Sequence, residues 1–110
     1  MQESPANALV IEGQVMRLPE TRHSPAGIPI SRFVLEHQSR CDEAGAMREV
    51  RLRLGVVAAG RPLQQVVVRL VPGSRIRVEG FLARAGFRSA EHRLVLHAQS
   101  MELLNNDQDR

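Results

Sequence analysis

The chain has 110 residues, 43% of them apolar, a formal charge of +3 and a single cysteine, Cys41. That length suits one domain with a modest core. No apolar run reaches the roughly eighteen residues of a membrane span, no basic-then-apolar order marks a secretory signal, and one thiol excludes an internal disulfide and fits a reducing compartment.

Residues 1–7 contain Ser4, Pro5 and Asn7 without periodicity and are expected to be disordered. Ala8 to Leu18 reads as the first strand. Leu9, Ile11, Gly13 and Val15 alternate with Val10, Glu12, Gln14 and Met16, and both faces carry apolar residues, as in a central or covered strand. Pro19 to Pro29 holds three prolines and a glycine and reads as a loop. Ile30 to Ser39 is the second strand, with Phe33 and Leu35 on one face and Arg32, Val34 and Glu36 on the other. Arg40 to Met47 reads as a polar connection around Gly45. Arg48 to Val57 is the third strand: Val50, Leu52, Leu54 and Val56 point in, while Glu49, Arg51 and Arg53 point out. It forms a long hairpin with the second.

Ala58 to Val71 changes period. Pro62 suits a first helical turn, and Leu63, Val66, Val67 and Leu70 make one helical stripe. The β-branched run Val66-Val67-Val68 also suits a strand, but the helical stripe and Pro62 predict a short helix. Pro72-Gly73 signals a tight turn. From Ser74 to Arg84, Ile76, Val78, Gly80 and Leu82 alternate with Arg75, Arg77, Glu79 and Phe81. A glycine in the middle of so regular a strand predicts the bend of a small barrel's corner. Ala85 to His92 reads as a loop carrying Phe87. Arg93 to Leu104 is the last strand, with Leu94, Leu96 and Ala98 on one side and Val95, His97 and Met101 on the other. Residues 105–110 read as a flexible tail. The domain therefore spans 8–104. Three strands, one short helix and two strands make an all-β protein, and that order is expected of a five-stranded OB-fold barrel with its helix between strands 3 and 4.

Catalytic and metal chemistry find no footing. His23, His37, His92, His97 and Cys41 show neither C-x-x-C nor H-x-x-x-H spacing. The serines lie in no G-x-S-x-G context, and no phosphate-loop pattern occurs. The expectation is a protein that is not an enzyme and carries no metal or cofactor. What remains is charge. All fifteen basic residues are arginine, and residues 8–104 hold fourteen of them against nine acids. A GC-rich genome favours arginine over lysine; the functional reading is arginine's bidentate grip on phosphate. OB barrels bind with the faces of strands two and three and with the loops after strands one and four. Arg17 and Arg22 flank the first of those loops, Arg84, Arg88 and Arg93 flank the second beside Phe87, and Arg48 and Arg51 lie on strand three. These eight residues are the candidate DNA contacts, a basic groove for a single-stranded polynucleotide.

Several segments together are similar to the bacterial primosomal replication protein N (PriB) family, itself related to single-stranded DNA-binding protein. They are Ser24-Pro25-Ala26-Gly27-Ile28-Pro29, Phe33-Val34-Leu35-Glu36-His37, Glu43-Ala44-Gly45, Gly73-Ser74-Arg75-Ile76, Val78-Glu79-Gly80-Phe81 and Val95-Leu96-His97-Ala98. The resemblance covers about Leu9 to Leu104. It implies a cytoplasmic OB-fold homodimer that binds single-stranded DNA in replication restart, engages the primosomal helicase and passes the complex to a helicase-loading factor. It assigns the basic contacts of the strand-four-to-five loop to Arg88 and Arg93, the hairpin contact to Arg48 and the first-loop contacts to Arg17 and Arg22. Family aromatics of the hairpin fall on Ala46 and Arg51 here. The residues give the dimer their own support: a first strand apolar on both faces leaves an edge that a second copy would cover. A protein-interaction adaptor with weak DNA binding is the alternative.

Overall fold

Six strands and one short helix follow one another in a computed structural model that describes residues 4–86 and 93–104. They are β1 (Leu9–Val15), β2 (Glu20–His23), β3 (Pro29–Glu43), β4 (Ala46–Ala59), α1 (Arg61–Val67), β5 (Arg75–Arg84) and β6 (Leu94–Leu103). The sheet order is β1-β5-β6-β4-β3-β2, and a further β1–β3 pairing closes it into a five-stranded barrel with β2 outside. All neighbours are antiparallel except β4 and β6. The all-β class and the closed barrel agree with the sequence. The helix, however, follows the fourth strand of the chain, because the segment read as a loop holds β2; it is the third strand of the barrel that precedes it.

Closure depends on two glycines. β1 meets β3 only at Gln14–Glu36 and Val15–Leu35. A Cβ on Gly13 would collide with the carbonyl oxygen of Glu36 and with Leu35, so no larger residue lets these backbones cross here. A Cβ on Gly80 would collide with the carbonyl oxygen of His97. The β5–β6 register shifts at that point: Glu79 pairs with Ser100 and Gly80 with Ala98, leaving Gln99 extra. This bulge bends the strand pair. It also moves Met101 to the core side, beside Ala98 and Leu103. Strict alternation had set Met101 opposite Leu96, and the extra residue is why it fails.

Inside lie Val15, Phe33, Leu35, Val56, Ile76, Val78 and Leu96, with Leu70 plugging from the helix side. Each fully buried aliphatic side chain contributes roughly 1.5–3 kcal/mol. Pro62 occupies the first turn of α1, and Val66 and Val67 are helical. Pro72 and Gly73 (φ 93°) form the expected turn, stitched to β1 by Gly73 N–H to Val15 O at 2.8 Å and Val15 N–H to Ser74 O at 2.9 Å.

Two loop readings are corrected. Between Pro19 and Pro29, β2 pairs Glu20–His23 with Arg32–Pro29. The prolines bracket this short edge strand instead of interrupting it, and its four exposed residues give no alternation to detect. Ser31, 0% exposed, meets Thr21 Oγ1 at 2.7 Å and donates to Gln64 Oε1 at 3.1 Å, tying β2 and α1 to β3. Between Arg40 and Met47 there is no open connection. β3 and β4 stay paired to Glu43–Ala46, and only Ala44 (φ 55°) and Gly45 (φ 84°) turn, with both φ positive as in a two-residue type I′ hairpin. Residues 40–49 are all exposed, so the hairpin projects as an arm. Leu52, expected inside, is 37% exposed, and Val50 is partly exposed, since no opposing barrel wall faces that side of the ribbon.

Candidate nucleic-acid interface

Register decides which arginines share a face. The core side of β3 and β4 carries Phe33, Leu35 and Val56, so the outer side carries the residues between them. Pairing then gives successive outer rows: Arg22–Ile30–Ala59, Glu20–Arg32–Val57, Val34–Gly55, Glu36–Arg53, Gln38–Arg51 and Arg40–Glu49. Arg22, Arg32, Arg40, Arg51 and Arg53 therefore line one continuous surface running from β2 out along the arm. Arg22 and Arg51, singled out from the sequence, both lie on it, opposite Ile30 and Gln38, eight residues apart along β3. Arg32, Arg40 and Arg53 were missed as candidates; their signal was present in the alternation, since each sits opposite the core face of its strand.

Arg48 is not on that surface. Its register partner is Cys41, on the opposite side of the arm, and its guanidinium donates to Glu43 Oε1 at 2.8 Å. Arg17 is exposed in the link between β1 and β2. Arg84 ends β5, and Arg93 accepts the Ala85 N–H at its carbonyl at 3.0 Å, closing the base of the β5–β6 loop. Phe87 and Arg88 lie outside the described residues, as does the tail 105–110.

The outer surface is mixed in sign. Glu20 lies across from Arg32 and Glu49 across from Arg40, and Arg53 approaches Glu36 at 3.7 Å. Pairs this exposed contribute little to stability and leave the guanidinium available to a phosphate. Arg51 differs. Its fork meets the Gln38 amide oxygen at 2.6 and 2.8 Å in the orientation that satisfies both groups, so the partner is neutral and the full charge is kept. On the far side of the barrel Arg77 is engaged by Glu12 at 3.4 Å and Glu79 at 3.5 Å.

An aromatic element was also missed. Phe81 of β5 pairs with His97 of β6 on the outer face, their rings 5.2 Å apart and 6° from parallel. Nothing in the sequence sets two rings sixteen positions apart side by side; only the strand register does.

The edge of β1 has its own geometry. β5 covers one side from Leu9 to Gln14, whereas β3 covers the other only at Gln14 and Val15. Beyond that the gap is bridged by His37, whose Nδ1–H donates to Glu12 O at 2.7 Å and whose Nε2 meets Ser39 Oγ at 2.8 Å. Among the described residues no cluster of three or more His, Cys, Asp or Glu side chains is arranged to hold a metal, and no helix is long and apolar enough to cross a membrane.

Residues 7–100 match the family model described as another single-strand binding protein family. The chain is 42% identical over 100 residues to replication restart protein PriB of Photorhabdus laumondii, covering 91% of this chain and 95% of that one. Among solved structures, PriB of Ralstonia solanacearum superposes with a TM-score of 0.78 at 28% identity, covering 92% of this chain and all of the other. The single-stranded DNA binding protein of Thermus aquaticus superposes with a TM-score of 0.76 at 25% identity, covering 94% of this chain and 52% of that one.

Proposed function

The chain belongs to the PriB family of replication restart proteins, within the single-strand binding proteins, and from that membership we propose that it is a cytoplasmic, non-catalytic accessory protein of replication restart. It holds unpaired DNA on the outer face of β2, β3 and β4 and at the β5–β6 loop. Arg17, Arg22, Arg51, Arg84 and Arg93 grip the phosphates, joined by Arg88, while Phe87 offers its ring to a base. Arg48 contributes only where the strand wraps around the arm. A second copy pairs along β1. The primosomal helicase is the protein target, and a helicase-loading factor receives the complex.

One observation carries this reading: the agreement with a PriB chain runs over 95% of that chain's length, so it takes in the barrel, the arm and both binding loops together. Titration of fluorescent single- and double-stranded oligonucleotides tests it. Tighter binding of the single strand is expected, and equal affinity for the two forms would overturn it.

The interleaved carboxylates Glu20, Glu36 and Glu49 favour a second reading, an adaptor that stimulates the helicase while binding DNA weakly. The double variant Arg88→Ala with Arg93→Ala separates the two. Loss of DNA binding with helicase stimulation intact supports the adaptor; joint loss supports the first reading.

A further inference from the structure

We propose that the outer face of β4, β6 and β5 is a stacking floor for unpaired nucleobases, with the Phe81–His97 ring pair as its platform and Gly55 as its notch. The inference rests on the single-strand reading above and says where the bases go.

Two rows of outer residues cross the barrel side by side. One runs Arg32–Val57–His97–Phe81; the other runs Val34–Gly55–Val95–Ala83. Past Arg32 neither row contains a charge. Val34 is 42% exposed, and Val57, His97, Phe81, Val95 and Ala83 are all partly exposed. Four strands at about 4.8 Å spacing make a strip roughly 14 Å wide. An uncharged strip on the solvent side of a strand-rich barrel costs solvation unless something covers it.

Charge and shape point to the occupant. Arginines stand around the strip: Arg32 at one end, Arg53 in the next row of β4, and Arg84 and Arg93 at the loop that joins β5 to β6. A flat apolar floor fits a base by its π-face, and the guanidiniums at its rim, interleaved with Glu20, Glu36 and Glu79, fit its phosphates by their charge. The ring pair already lies parallel, so a base can continue the stack. Gly55 lowers the floor at its centre. A Cβ there would meet only Val95 Cγ2 at 3.9 Å, so the site tolerates a side chain and the face is lower for lacking one.

That tolerance supplies the test. Gly55→Val puts its Cβ in ordinary contact with Val95 and adds bulk above the floor, and valine suits a strand. The full chain is titrated by fluorescence anisotropy with oligo-dT and with an abasic strand of equal length, at low and moderate salt. Gly55→Val and Phe81→Ala are each expected to weaken oligo-dT binding by about tenfold, with the salt slope and abasic-strand affinity unchanged. Equal losses on both strands would mean a structural defect, and no loss on either would mean that bases do not touch the strip; each overturns the proposal. So would unchanged DNA affinity with lost helicase stimulation, which would assign the face to a protein. A wild-type chain that binds no single strand fails the underlying reading instead.

Discussion

A methyl group added at Gly80 would run into the carbonyl oxygen of His97, whereas the same methyl at Gly55 finds ordinary contact at 3.9 Å. Both glycines sit in strands of the same barrel, so their alanine variants isolate close approach from the general cost of glycine. Gly80→Ala forces β5 and β6 apart at the bulge and is expected to cost about 1–3 kcal/mol or more. Gly55→Ala only lowers the entropy of the unfolded chain and should be neutral or stabilising by up to about 1 kcal/mol. Urea unfolding of the two variants reads this directly, and a Gly80→Ala protein as stable as wild type would remove the glycine from the account of the bend. The need for glycine at 80 was legible because it interrupts a clean alternation. The bulge residue Gln99 was not, since a polar side chain on an outer face looks the same with or without a register shift. Phe81 and His97 escaped for a related reason: each was read in its own strand, and neither strand states its partner.

β1 and the β3–β4 arm show the same limit one level up. Alternation found both strands of the arm but stopped them near Ser39 and Arg48, because exposed residues such as Arg40, Asp42 and Met47 carry no apolar beat once the barrel is left behind. β2, with four exposed residues, carries none at all. The register places Arg48 and Arg51 on opposite sides of the ribbon, which odd and even numbering alone implies and which grouping them as one contact obscures. For β1 the backbone adds a direction. Met16 N–H bonds to Val34 O in β3, Val15 N–H to Ser74 O next to β5, and Glu12 O points to His37. Even-numbered groups therefore face the β3 side, so the N–H of Val10 points at the edge that β3 leaves open. Val10 is also 51% exposed. A proline at 10 removes a donor from the open edge and none from the β5 ladder. Val10→Pro is expected to keep the circular-dichroism spectrum of the barrel and to sediment as a monomer where wild type is a dimer. Sedimentation velocity at micromolar concentration checks both halves, and a wild-type monomer there would sink pairing through this edge.

At the scale of the whole chain, composition tells less than placement. An excess of arginine was visible at once, but which carboxylate stands across from which guanidinium depends on pairings between distant strands. Glu20 against Arg32 and Glu49 against Arg40 are products of register. The radius of gyration, 15.4 Å, exceeds the roughly 13 Å of a compact domain this long, and the arm is what carries Arg40 and Arg51 away from the barrel. Charges spread over such a surface act on a polyanion mainly by releasing its counterions, at about 0.7 of a log unit of slope per phosphate on a single strand. If three to five of the outer arginines and those of the β5–β6 loop engage, log affinity should fall against log salt with a slope of about −2 to −3.5, or roughly 20- to 100-fold between 50 and 200 mM. Arg22→Ala and Arg51→Ala should each flatten that slope by about 0.7, whereas Arg48→Ala, paired to Glu43 on the other side of the arm, should flatten it least. Affinity that stayed level across that salt interval would remove the guanidinium–phosphate account altogether. An Arg48 effect as large as that of Arg51 would instead show the strand on both sides of the arm, and the outer face would no longer be the track it follows.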